Sequence, residues 1–127
     1  MWLFTKSGFF SAVQNDKDPS LIHVRARFKG DLERLLKTHK GIVGKPAPKI
    51  LHTSFGDYAY RTDIPRDKFA QIVAAEASGI DYTNFKNRVH DGTSRDGAYM
   101  NVWCVMRGAQ SRQGAGHGAR RSAAVPW

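Results

Sequence analysis

The sequence predicts an α+β fold: a mostly antiparallel sheet of about five strands with helices packed on one face, in the order β-β-β-α-β-β-α-α-α. Three observations predict it. Short β-prone runs separated by turn residues fill the first part of the chain. Apolar residues recur at helical spacing from residue 65 onward. Strands and hairpins come first and helices last, which places the helices together on one side of an antiparallel sheet.

Residues 2–6 and 9–14 are rich in aromatic residues, and Ser7-Gly8 between them suits a tight hairpin because glycine supplies positive φ. The polar stretch 15–20 is a loop. In residues 21–27, Ile22, Val24 and Ala26 point one way while His23, Arg25 and Arg27 point the other. That alternation describes a strand with one buried and one basic, solvent-facing side. Phe28, Leu32, Leu35 and Leu36 then follow helical spacing, and Asp31 favours the positive helix end, so the pattern predicts a helix over 30–38.

Residues 40–49 hold Gly41, Gly44, Pro46 and Pro48 and read as a loop. Two further strands follow, 50–53 and 57–64, the second with Tyr58, Tyr60 and Thr62 alternating with Ala59 and Arg61. Asp63 ahead of Ile64-Pro65 reads as the cap of a helix that ends at Gly79 and carries Phe69, Ile72, Val73 and Ala77 on its apolar side. Asp81 reads as the cap of another, with Tyr82, Phe85 and Val89 on one face. The last helix carries Tyr99, Val102, Trp103 and Met106 at i, i+3, i+4 and i+7.

This reading gives one domain over residues 1–107 and a basic tail over 108–127, expected to stay disordered because Gly, Ala, Ser, Gln and Arg bury too little surface. The charge is uneven. The whole chain carries a formal +9; residues 107–127 contribute four arginines and no acid, and the rest sixteen bases and eleven acids. Such a balance attracts polyanions: nucleic acid or an acidic protein surface. A single cysteine, Cys104, excludes an internal disulfide and a CxxC metal knuckle. With no secretory leader and no run near the ~18 apolar residues of a membrane helix, a cytoplasmic setting away from membranes is expected. The oligomeric state is not legible.

The opening MWLFTKSGFFSAV, the VRAR of Val24 to Arg27, DYAYRTDIPRDKFA from Asp57, IDYTNFKNRV from Ile80 and YMNVWCVM from Tyr99 together resemble a family of short, uncharacterised bacterial proteins, some associated with phages or mobile elements. The resemblance covers most of the chain up to Met106. It implies no activity or cofactor and transfers no functional residue.

Three functions fit the residues. In the first, a non-catalytic protein engages nucleic acid or a nucleoprotein complex. His23, Arg25 and Arg27 line one strand face, Arg61 joins from a neighbouring strand, and the tail's Arg112, Arg120 and Arg121 add sequence-independent phosphate affinity. If Trp2, Phe4 or Phe9 shares that face, bases stack there while arginines hold phosphates. The bland alternative is a solvated face with the aromatic rings buried on the other side. The RNP signature of RNA-recognition modules is missing. The second function is a phage- or plasmid-encoded modulator of a host protein, with Val125-Pro126-Trp127 as a docking anchor. The third is a small hydrolase in residues 81–91, with His90 as base, Asp91 or Asp81 as its orienter and Arg88 as anion holder. No catalytic residue is assigned. Five scattered histidines lack metal-ligand spacing, and Gly41, Gly44 and Lys45 lack the P-loop pattern, so no metal or cofactor is expected.

Overall fold

A computed structural model of the chain describes residues 1–115; residues 116–127, with Arg120, Arg121 and Val125-Pro126-Trp127, lie outside the described residues. The described residues form strands β1 (Trp2–Phe4), β2 (Phe9–Gln14), β3 (Leu21–Ala26), β4 (Leu51–His52) and β5 (Tyr60–Pro65). The helices are α1 (Lys29–Thr38), α2 (Lys40–Val43), α3 (Arg66–Ser78), α4 (Phe85–Val89) and α5 (Ser94–Ala115). All strand pairs are antiparallel, and the sheet order is β1-β2-β3-β5-β4. This is the expected α+β fold.

The chain divides into two compact units, Met1–Asp81 and the segment from Tyr82 onward. The boundary expected at residue 108 falls inside α5, which continues to Ala115. Ala109, Gln110, Arg112 and Gln113 are good helix formers, and a glycine inside a helix costs only about 1 kcal/mol relative to alanine. In this stretch helix propensity outweighs the glycines.

The core of the first unit lies between one sheet face and two helices. Phe10, Ala12, Ile22, Val24, Ala26 and Ile64 alternate onto that face and meet Leu32, Leu35 and Leu36 of α1 and Phe69 and Ile72 of α3. Val43 joins them, so the segment read as a loop begins with the short helix α2, and Lys68 Nζ donates to the Val43 carbonyl at 3.2 Å. Phe28 leaves the expected stripe. Its backbone is extended (φ −114°, ψ 130°) at the N-cap of α1, and the ring is exposed.

Two expected caps are corrected. Asp63 stays inside β5, and α3 begins after Pro65 with no side-chain cap. Continuing the strand buries Ile64 completely, and burying an aliphatic side chain stabilises by about 1.5–3 kcal/mol, more than the ~1 kcal/mol of a typical cap. Asn84, not Asp81, caps α4, accepting from the Asn87 N–H at 3.1 Å. Asp81 lies 3.9 Å from Lys6 Nζ. In the second unit Val89 is buried, and Phe85 stacks on Tyr99 with ring centroids 5.9 Å apart. No described helix is long and apolar enough to cross a membrane.

Candidate nucleic-acid interface

Strand alternation assigns the sheet face opposite the core. Pairing of Trp2 with Ser11, Ser11 with Arg25, Arg25 with Arg61 and Arg61 with Leu51 sets one row of side chains across all five strands. Beside it Phe4 pairs with Phe9, and on the other side Val13, His23 and Asp63 form a parallel row. The hairpin thus places its aromatic residues beside the predicted bases. Trp2 is 66% exposed and packs edge-on against Phe9 at 6.0 Å. Phe4 stacks on Phe9 at 4.4 Å with the planes 21° apart.

Tyr58 lies buried beneath this surface, under Arg25 and Arg27. The sequence places it on the same face as Tyr60, but the strand starts only at Tyr60, and a bend at Ala59 releases Tyr58 to the other side. Tyr60 stays against the core, whereas the Tyr58 ring lies 4.7 Å from the Arg25 guanidinium, 4.3 Å from that of Arg27 and 6.5 Å from Phe9. Aromatic rings and guanidinium groups therefore run continuously from Trp2 to Arg27.

The four predicted basic residues differ in what holds them. Arg25 donates to Ser11 Oγ at 2.8 Å and lies over Tyr58, and its buried Nε has no hydrogen-bond partner among the described residues. Arg27 pairs with Asp57 at 3.2 Å. His23 Nδ1 lies 2.9 Å from Asp63 Oδ1. Arg61 has no ion pair or hydrogen bond from its side chain among the described residues. Two of the four thus have a carboxylate partner that sequence reasoning missed, because the cross-strand register that brings Asp63 to His23 has no local sequence signal. Arg112 is exposed on α5, in the other unit.

Partial burial pushes the Asp63 carboxyl up, but hydrogen bonds from Asn15 and His23 and the charges of His23 and Arg61 outweigh it and hold the group below the usual carboxylate range. A depressed native pKa contributes stability above the unfolded value, about 3.9, that is lost as pH falls through the native one. Asp63→Asn is therefore expected to flatten the acid limb of stability below about pH 4, measured by urea unfolding across a pH series. An acid limb as steep as in the unsubstituted chain would refute this.

The hairpin is tied to α1 and to the end of α3. Thr5 and Gly8 exchange backbone hydrogen bonds, so Lys6 and Ser7, rather than Ser7 and Gly8, form the turn. Lys6 Nζ donates to the Gly79 carbonyl at 2.7 Å, and Ser7 Oγ donates to Glu76 Oε1 at 2.5 Å, with His39 Nε2 3.2 Å from the same oxygen. On the α1 side, Arg34 Nε donates to the Ser7 carbonyl at 2.9 Å. Asp31, fully buried and paired with Arg34, accepts the Phe9 N–H at 3.1 Å.

The histidine–carboxylate arrangement weighed for hydrolysis is built differently from expectation. His90 is 76% exposed in its side chain and lies 2.8 Å from Asp96. Asp91 pairs with Arg95 at 3.1 Å and accepts from Thr93 Oγ1. Asp96 accepts the N–H groups of Asp91 and Gly92, which ties the preceding loop to the first turn of α5, while Thr93 Oγ1 caps the helix by accepting the Arg95 N–H at 3.3 Å.

Compared with known protein families, curated proteins and solved structures, the chain matches none.

Proposed function

We propose that the chain is a non-catalytic binding protein that takes single-stranded nucleic acid on the open face of its sheet. One observation carries the reading: the register aligns exposed Trp2 with Arg25 and Arg61 in a single row, flanked by the stacked Phe4–Phe9 pair. Exposed aromatic ring faces accept bases of any sequence by stacking, and adjacent guanidinium groups donate to phosphate oxygens. With His23 and Arg27 paired to carboxylates, stacking supplies more of the affinity than the +9 charge suggests, and Arg61 is the foremost phosphate ligand. The basic segment from Arg107 onward adds a salt-sensitive, sequence-independent contribution.

Fluorescence anisotropy with labelled single-stranded oligonucleotides over a salt series tests this. Trp2→Ala is expected to weaken binding by about 1–3 kcal/mol with little change in salt dependence. Arg61→Ala is expected to reduce the slope of log affinity against log salt by about 0.7. Arg25→Ala is expected to weaken binding and to free the Tyr58 ring. No binding at low salt, or affinity unchanged by Trp2→Ala and Arg61→Ala, would sink the proposal.

A further inference from the structure

Helix α5 has apolar residues on every side of its middle; Lys86 Nζ lies over the Trp103 ring at 4.0 Å, and much of the apolar surface stays exposed. Met100, Val102, Trp103, Val105 and Met106 are all exposed, between 39% and 65%. The helical spacing of Val102, Trp103 and Met106 with Tyr99 led to the expectation of a core-facing stripe. Of that stripe only Tyr99 is buried. A helix apolar all round is normally buried, so this one calls for a covering surface.

The order of side chains along α5 says what that surface is. Asp96, Met100, Trp103 and Arg107 follow one another at spacings of four, three and four, which sets them on a single stripe of the helix. The stripe is complementary to its own reverse: an acid at one end, a base at the other, and a Met–Trp pair in the middle. Laid antiparallel on a second copy about a two-fold axis between residues 101 and 102, it sets each Asp96 opposite an Arg107 and each Met100 opposite a Trp103. Such a contact is isologous and closes at two chains. Sulfur against an aromatic ring is favourable at its centre.

The surroundings support the match. A groove of about 240 Å³ runs beside the stripe, lined by Val89, Tyr99, Met100, Lys86, His90 and Asp96. It adjoins the position where the register brings the second copy's indole. Asp96 is held in place by two backbone N–H groups and by His90 Nδ1 at 2.8 Å, so the acidic end of the stripe is fixed, with 17% of its side chain left open to a second copy's Arg107. The Arg107 guanidinium lies 5.3 Å from the Trp103 ring, at the positive end.

We infer that α5 is a self-association helix: two copies of the chain pair through it, antiparallel, as a symmetric dimer. This stands independently of nucleic-acid binding, which uses the other unit. Sedimentation equilibrium of the full-length chain, from micromolar to submillimolar concentration, tests it. The expected result is a mass of two chains, with dimerisation weakened at least tenfold by Met100→Glu and by Arg107→Asp. Combining Arg107→Asp with Asp96→Arg is expected to recover part of the loss, and far-UV circular dichroism reports whether each variant keeps its helix. If the doubly substituted chain loses its helix, Met100→Glu and Arg107→Asp decide alone. A chain that stays monomeric, or a dimer that both single substitutions leave intact, overturns the inference. So does a monomer that dimerises only when residues 116–127 are removed, because the chain's own end would then be the covering surface.

Discussion

Alanine in place of Gly8 is expected to destabilise the first unit by about 3 kcal/mol, the upper end of the cost of overpacking a filled site. A Cβ at this position would lie 2.4 Å from Asp31 Cγ, 2.5 Å from its Cβ and 2.7 Å from Oδ2. Asp31 cannot move aside. It is 1% exposed, accepts the Phe9 N–H and pairs with Arg34, so any shift breaks the contacts that join the hairpin to α1. The φ of 155° adds backbone strain for any side chain. Gly41→Ala is the control: nothing lies within 4 Å of its Cβ, and in a helix the change is expected to stabilise by up to about 1 kcal/mol. Urea unfolding of both variants checks the contrast, and equal midpoints would refute it.

Phe10→Ala is expected to cost about 3–5 kcal/mol, in the range measured for emptying a buried aromatic site. Phe10 is 1% exposed in the central cluster, where neighbouring strands and helices leave little room for collapse. Its neighbour Phe9 points to the opposite face, so Phe9→Ala is expected to cost only about 1 kcal/mol of stability, chiefly its ring contacts, while weakening oligonucleotide binding. The pair separates folding from recognition at adjacent positions. Similar unfolding midpoints for the two variants would show that the strand does not divide its faces this way.

Much of this was legible in the sequence. In β3 the alternation of Ile22, Val24 and Ala26 with His23, Arg25 and Arg27 has one physical solution, a half-buried strand, and the structure forms it. The helical stripes of α1 and α3 were legible for the same reason. What could not be read depends on partners distant in sequence. Asp63 satisfies a local cap pattern, but burial of Ile64 against other elements keeps it in the strand. Whether Trp2, Phe4 and Phe9 faced the core or the arginines depended on hairpin register, which periodicity alone does not determine. Helix α5 shows the opposite failure: the helix itself was legible, but of the stripe read from its spacing only Tyr99 is buried, and spacing cannot name what packs against the rest.

The ties between the hairpin turn and the end of α3 also govern when the aromatic surface can exist. Lys6 and Ser7 reach partners 73 and 69 residues further along the chain. A chain emerging from the ribosome therefore completes its first strands long before the residues that hold them in place. Until Glu76 and Gly79 have emerged, Trp2 and Phe9 lack these supports, and under the proposed function a nascent chain would be a poor trap for the nucleic acid around it. Recognition of that kind would be timed by the order of synthesis, with the earliest residues made competent by some of the later ones.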